Sequence, residues 1–480
     1  MVGITALGTY LPIFRLSRDA ISGMWSGRGG PGGKAVAGYD EDTLTMAVAA
    51  TIECLERAGT GADSLTLATT TAPYLEKQAA VMVAAAADLD EGCQTADITN
   101  SLRAAGQALK AACDAVKAGS AKNALVAASD CRPAASKGTL EANFGDGAAA
   151  VMVGAENIIA EINGWHSVNN DFTDYWRLAE DPYLRTTEGR FIDENGYLPA
   201  VQAAVGGLLE AQKLNPADVT TCVYYASDAR QHALLARRMK LAKEQVQDCL
   251  YGNVGNTGTP AALLMLAAAL EKAKPGDRIV VAFYGDGCDA FLLTVTDDIK
   301  KFQEQPAVSD KLAGSQAIDY GRYAVWKGLV PLEASTLPER SPLSLPNRWR
   351  ERKVITALYG KKCTNCGTPQ LAQIGQNLRV CVQCGAKDQF EPYKFADKKA
   401  KLFTYAIDQL MPTQNPPGVN GVIDFIGGGR LVCELTDCDI DKLGVGMTVE
   451  MTYRRMFVSR GIINYFWKAK PATDEPEGGK

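Results

Sequence analysis

No run of apolar residues in this chain approaches the roughly 20 that cross a bilayer. The longest, "AAVMVAAAADL" and "PAALLMLAAAL", stop well short, and no membrane partner is expected. An excess of positive charge is missing too: the formal net charge is -5, which removes any general attraction to nucleic acid or anionic lipid. The opening "MVGITALGTYLPIFRLSRD" lacks a basic n-region and places Arg15 and Arg18 just past its apolar part, so no secretory signal is read there.

What is present fits a globular enzyme whose partners are small molecules or proteins, with hydrophobic residues at 46% and charged residues at 22%. A length of 480 residues exceeds one ordinary core and predicts two or three domains. The 13 cysteines fall into two groups, one scattered before residue 290 and one in the last quarter, where four form a tight pattern. Such usage predicts a reducing, cytoplasmic location.

Up to about residue 325, short apolar runs alternate with Ala-rich helical segments, which predicts an α/β layered domain. The sequence also echoes itself. "SLRAAGQALKAACDAVKAG", "NALVAAS" and "FGDGAAAVMVG" are answered by "TPAALLMLAAALEKAK", "RIVVAFY" and "GDGCDAFLLTV", and the two Gly-Asp-Gly turns lie about 140 residues apart. A duplicated unit with a shared core is expected. Gly145, Gly147, Gly285 and Gly287 read either as backbone requirements or as ligand contacts, while Asp130, Asp146 and Asp286 beside these turns read as residues that cap or bridge backbone groups.

Residues 326–346 read as a linker, because "PLEASTLPERSPLSLP" holds four prolines in sixteen residues. After it, "NRWRERKVITALYGKK" suggests a short basic helix, and "KLFTYAIDQL" to "INYFWKAK" alternates as β-strands do, with turns at "QNPPG" and "GGG". Residues 472–480 read as a disordered tail.

Cys363, Cys366, Cys381 and Cys384 form two C-x2-C pairs separated by fourteen residues. Each pair brings two thiolates to one ion, Gly367 and Gly385 let the backbone fold round the sulfurs, and four soft ligands with no open position predict a closed structural zinc site. A ribbon followed by about five short strands is similar to a zinc-ribbon/OB-fold module. Residues 343–470 resemble the zinc-ribbon/OB-fold family that accompanies thiolase-like acyl-CoA enzymes as a subunit or a fused tail, which implies a role in acyl-CoA access. On that resemblance Arg348, Arg350, Arg352 and Lys353 are candidates to meet coenzyme A phosphates or, equally, to form a solvated helix face.

Residues 1–325 resemble the thiolase superfamily, in particular the 3-hydroxy-3-methylglutaryl-CoA synthases and the type III ketoacyl synthases. The residues that carry the likeness are "GITALGTYLP", "ALVAASDCRP", "FGDGAAAVMVG", "DFTDYWR", "YGNVGNTGTPAALLML" and "GDRIVVAFYGDGCDAF". The implied architecture is a duplicated α-β-α-β-α thiolase-like fold over 1–325, then a helix and zinc ribbon over 347–392 and an OB-fold barrel over 393–471. The resemblance also implies coenzyme A thioester as substrate and a homodimer.

Carried over to this chain, the resemblance places Asn256 at a catalytic Asn position and Leu102 where relatives carry a cysteine nucleophile. Thr70 stands at the acid/base Glu position, and Tyr225 at the His position. Without a thiolate no acyl-enzyme can form. Aldol or retro-aldol chemistry needs only a base and oxyanion donors, and some thiolase-fold steroid side-chain aldolases resemble this chain in relying on tyrosine. Tyr225 then requires a pKa that falls toward neutrality; otherwise Tyr224 and Tyr225 are ordinary strand aromatics. His232 is either a site group or a surface helix residue, Cys288 either a base or a small buried residue, and His166 structural or exposed. Two alternatives stand beside the aldol reading. One is a non-catalytic acyl-CoA-binding subunit that serves a second thiolase-like chain; the other is a Claisen-type synthase with its nucleophile moved to Ser101 or Cys93.

Overall fold

A computed structural model describes residues 1–306, 308–333, 342–372 and 374–472. It divides into two compact units, the first of Met1–Ala84 and Leu89–Val330, the second of Ala85–Asp88 and the chain from Pro331. Of the expected linker, residues 334–341 lie outside the described residues, as do residues 473–480 of the expected tail. Helix Tyr320–Trp326 seats Trp326 against Phe14 in the first unit, so ordered structure there passes the boundary expected at 325. No helix among the described residues is long and apolar enough to cross a membrane.

The first unit is built on nine strands: β1 (Gly3–Tyr10), β2 (Ser64–Thr69), β3 (Gln94–Thr99), β4 (Ala124–Asp130), β5 (Gly147–Gly154), β6 (Ala160–Asn169), β7 (Thr221–Tyr224), β8 (Arg278–Tyr284) and β9 (Gly287–Val295). Their order is β7-β8-β9-β6-β1-β5-β4-β2-β3. The join between β6 and β1 is slight, Gly3 opposite Glu161 and Ile4 opposite Ala160. On either side of it the pattern repeats: β1-β5 and β6-β9 antiparallel, β5-β4 and β9-β8 antiparallel, β4-β2 and β8-β7 parallel. The sequence echo is therefore a repeat of structure.

Five helices complete the layers: α1 (Thr43–Ala58), α2 (Ala104–Ala118), α3 (Leu198–Ala211), α4 (Ala229–Arg238) and α5 (Ala261–Leu270). Both Ala-rich helices α2 and α5 pack against strands of both halves, whereas α1 covers β1, β5 and β4 and α3 covers β6, β8 and β9. This gives α-β-α-β-α. Small side chains allow the central helices to approach the sheets closely, and Ala104, Ala105, Ala108, Leu263 and Leu266 are fully buried. Strands β4 and β5 are buried along their whole length, which is why "ALVAASD" and "GAAAVMVG" show no polar alternation.

In the second unit, two short helices, α6 (Leu345–Arg350) and α7 (Arg352–Ala357), stand where one was expected. A small sheet follows, β10 (Tyr359–Cys363), β11 (Pro369–Gln370) and β12 (Phe390–Lys394), in the order β11-β10-β12. Then five strands, β13 (Ala400–Asp408), β14 (Gly418–Phe425), β15 (Arg430–Glu434), β16 (Thr448–Ser459) and β17 (Ile462–Pro471), pair in the order β15-β14-β13-β16-β17 round buried Leu402, Ile423, Val449 and Trp467. The Trp467 indole N–H donates to the Thr356 carbonyl at 3.1 Å and fastens α7 to this barrel.

Candidate functional site

Strand β3 turns into helix α2 through Asn100, held at φ 72°, so that Ser101 and Leu102 sit at the mouth of a buried helix. The Gly285–Gly287 turn closes on this elbow. A Cβ at Gly285 would stand 2.9 Å from the Leu102 nitrogen and 2.7 Å from that of Arg103, and one at Gly287 would stand 1.9 Å from the Val168 carbonyl oxygen. These glycines meet a backbone requirement. The Ser101 hydroxyl donates to Asp286 at 2.7 Å, which occupies the one hydroxyl at the elbow. Leu102 is buried in an apolar cluster with Tyr197, Tyr224, Tyr225, Tyr284 and Cys288.

Tyr225 follows strand β7 and is anchored by its N–H to the Ala282 carbonyl at 3.1 Å. Asn256 comes from the turn before α5, where Oδ1 accepts the Gly258 N–H at 3.0 Å. That bond fixes the amide with its Nδ2 toward Tyr225 and 2.8 Å from the hydroxyl. An oriented donor thus meets a phenol in a site where both residues are buried. The Tyr284 ring stacks on Tyr225 at 6.1 Å, and the Tyr197 hydroxyl donates to the Tyr225 carbonyl at 2.6 Å.

Burial pushes the Tyr225 phenol above its ordinary pKa; the Arg132 cation and the Asn256 hydrogen bond pull it back only in part. This corrects the condition that Tyr225 titrate near neutrality, because desolvation of the phenolate outweighs its donors. Burial raises Tyr284 and Tyr175 as well. At neutral pH the site is a cluster of phenols.

The other candidates fall differently. Thr70 donates through both its N–H and its hydroxyl to Asp130, at 2.7 and 3.1 Å, and has no basic character to offer. Asp130, fully buried, also takes the hydroxyls of Thr69 and Thr71 and the Thr259 N–H. It ties the end of β2 to the turn that carries Asn256. Removing it by Asp130→Ala leaves several buried donors unpaired and is expected to cost about 3 kcal/mol, visible as a lower urea midpoint; an unchanged midpoint contradicts the tie.

His232 stacks on Tyr224 at 4.4 Å, and burial brings its pKa down to about 4. Its ring lies against Tyr224 and is influenced by Asp248, neither of them part of the Tyr225–Asn256 pair. Cys288 is fully buried and its thiol pushed far up by desolvation, so it is a poor base. Cys93 is likewise raised by burial. His166 is half-buried on β6 opposite Ala290.

In the second unit the sulfurs of Cys363, Cys366, Cys381 and Cys384 all lie within 4.8 Å of one another. Gly367 and Gly385 adopt φ of 76° and 72°, and turn the two knuckles round the cluster. Gln370 Nε2 and the Gln383 N–H donate to the Cys381 sulfur at 3.3 and 3.4 Å, and Asn365 Nδ2 to that of Cys384 at 3.4 Å. Four converging sulfurs with donors behind them fit one soft cation. Arg348 and Arg352 stand on α6 and α7, where the Arg352 guanidinium covers the Trp349 ring at 4.2 Å.

Among curated proteins, the hydroxymethylglutaryl-CoA synthase of Methanocaldococcus jannaschii is 32% identical over 348 residues, 69% of this chain and 100% of the relative. The chain belongs to the hydroxymethylglutaryl-CoA synthase family. A second member, from Methanopyrus kandleri, is 31% identical over 68% of this chain and 97% of its own length. Family models for 3-oxoacyl-[acyl-carrier-protein] synthase III match residues 96–168 and, for its C-terminal part, 209–295; the model for the ChsH2 C-terminal OB-fold domain matches 393–454. A solved HMG-CoA synthase complexed with CoA shares the fold at a TM-score of 0.61 and 18% identity, over 67% of this chain and 89% of that one.

Two residues of this family member escaped the reading of its sequence, Arg132 and Asp174. Both stand in quoted segments, "ALVAASDCRP" and "DFTDYWR", yet in stretches without periodicity. The Arg132 cation acts on the Tyr225 hydroxyl and lowers its pKa, and Asp174 accepts from the Tyr175 N–H at 2.6 Å. The only available signal was a charge beside aromatic residues.

Proposed function

We propose that this hydroxymethylglutaryl-CoA synthase homologue makes or cleaves a carbon–carbon bond in an acyl-CoA by aldol-type chemistry, without an acyl-enzyme. The observation that carries the reading is the buried 2.8 Å hydrogen bond between Asn256 and Tyr225, in the apolar cluster that also holds Leu102. Leucine at the nucleophile's position forms no thioester bond. Relatives named for a CoA thioester, and one solved in complex with CoA, support coenzyme A thioester as the substrate.

In the cleavage direction the Tyr225 phenolate takes the β-hydroxyl proton, the Cα–Cβ pair becomes the enolate, and Tyr225 returns the proton to Cα. An aldehyde or ketone and a shortened acyl-CoA leave. In the reverse direction the Tyr225 phenolate takes the Cα proton, the enolate so formed adds to the carbonyl carbon, and the resulting phenol protonates the carbonyl oxygen while the Asn256 amide holds it in place. Incubation of the purified protein with a panel of β-hydroxyacyl-CoA thioesters tests this. Release of a carbonyl compound matched by new acyl-CoA is expected; acyl exchange with no carbonyl product would mean Claisen chemistry instead.

The raised Tyr225 pKa sets a pH dependence. Cleavage needs the phenolate, whose fraction grows as pH rises toward a pKa above the ordinary 10. The cleavage rate is therefore expected to climb about tenfold per pH unit between roughly pH 7 and 9. A bell centred near neutrality in an initial-rate profile would point to another base.

We infer further that Cys363, Cys366, Cys381 and Cys384 hold zinc. With four sulfur donors no position would be left for water, so the ion would tie β10 to the second knuckle and take no part in the reaction.

A further inference from the structure

The proton transfers above use Tyr225 and Asn256 and leave a buried cation idle. Arg132 is 4% exposed, with its guanidinium 4.1 Å from the Phe144 ring and 5.0 Å from that of Tyr175. Its charge acts on the Tyr225 hydroxyl, and its Nε and Nη1 groups are buried without an acceptor. Asp174, 6% exposed, feels this charge, yet it keeps Oδ1 for the Tyr175 N–H and its Oδ2 has no donor. A guanidinium held dry between rings with its Nε and Nη1 hydrogens unbonded is costly unless an anionic oxygen completes it. The protein's own carboxylate does not supply that oxygen.

We propose that Arg132 is a further catalytic residue, which offers its open N–H groups to the thioester oxygen as that oxygen gains charge. This rests on the aldol reading of the same site. When the Cα–Cβ bond breaks, its electron pair passes to Cα and, through the conjugated thioester, to the oxygen. The β-hydroxyl proton moves to Tyr225 and from there to Cα, while Arg132 keeps all its protons. A fixed cation aimed at an oxygen that becomes anionic only during reaction favours that state over the bound substrate. The same guanidinium lowers the Tyr225 pKa, so one charge steadies both the phenolate and the enolate.

S-Carboxymethyl-CoA, whose carboxylate stands in for the enolate oxygen, separates this role from a structural one; S-propyl-CoA is the neutral control. By calorimetry the full-length protein is expected to bind the carboxymethyl compound about 100-fold more tightly than the propyl compound. Arg132→Met should erase that preference, with free CoA binding unchanged. Arg132→Lys, which keeps the charge and loses the planar donors, should hold about a tenfold preference and guards against misfolding of the methionine variant. No preference in the wild type, or a preference that survives in Arg132→Met, would overturn the proposal. Failure of free CoA to bind the wild type would instead overturn the acyl-CoA reading beneath it.

Discussion

Tyr225→Phe is expected to lower turnover of a β-hydroxyacyl-CoA by about 100-fold to 10,000-fold, the range of a lost general acid/base. The ring itself stays, so the stacking on Tyr284 and the backbone bonds of residue 225 to Ala282 and Tyr197 survive. Only the hydroxyl is lost, and with it the acceptor of the Asn256 amide. The loss should appear in kcat while CoA affinity holds, because neither Tyr225 nor Asn256 is assigned to the nucleotide end of the substrate. Asn256→Ala should act on the same step, and the double variant should be little worse than Tyr225→Phe alone, since two groups joined by one hydrogen bond work as a unit. Additive losses, or a Tyr225→Phe protein within about threefold of wild type, would assign the chemistry elsewhere.

Cys381→Ser should release the metal from the second unit and unravel its ribbon. A four-sulfur zinc site contributes about 10–16 kcal/mol in isolated zinc fingers, far more than the small sheet β10–β12 can gain by packing. Of the four thiols, the Cys381 sulfur accepts from both Gln370 and Gln383. Elemental analysis of the wild type should find about one zinc per chain and of the variant almost none, with new protease cleavage between β10 and β12. Cys93→Ser, which removes a thiol outside the cluster, should leave the metal in place. Zinc retained at full occupancy in Cys381→Ser would contradict the site.

Much of the fold was legible because its signals are local or periodic. The repeat of helix, strand and Gly-Asp-Gly shows up as paired halves of the sheet because each copy needs the same small residues at the same close approaches, Gly285 and Gly287 against the elbow above all. The cysteine spacing is equally local, and the knuckle glycines take the positive φ that such turns require. The Tyr225–Asn256 pair was reached only through the family's motif, since nothing in the sequence between two positions 31 apart announces that the chain segments meet there.

Arg132 and Asp174 were missed for a related reason. Their role depends on which rings surround them after folding, Phe144, Tyr175 and Tyr284, which come from three separate stretches of chain. The condition on the Tyr225 pKa could not be decided from the sequence because burial cannot be read from a strand end; in the fold, desolvation outweighs two favourable neighbours. His232, seven residues from Tyr225, faces the Tyr224 ring instead; adjacent residues leaving a strand point to opposite sides.

Carbon–carbon chemistry without covalent attachment is tested most directly by intact-mass spectrometry of the protein quenched while it turns over a β-hydroxyacyl-CoA. The unmodified chain mass alongside accumulating aldehyde or ketone is the predicted result. A mass raised by one acyl group, mapped to Ser101, Cys93 or any other side chain and formed as fast as product, would contradict it.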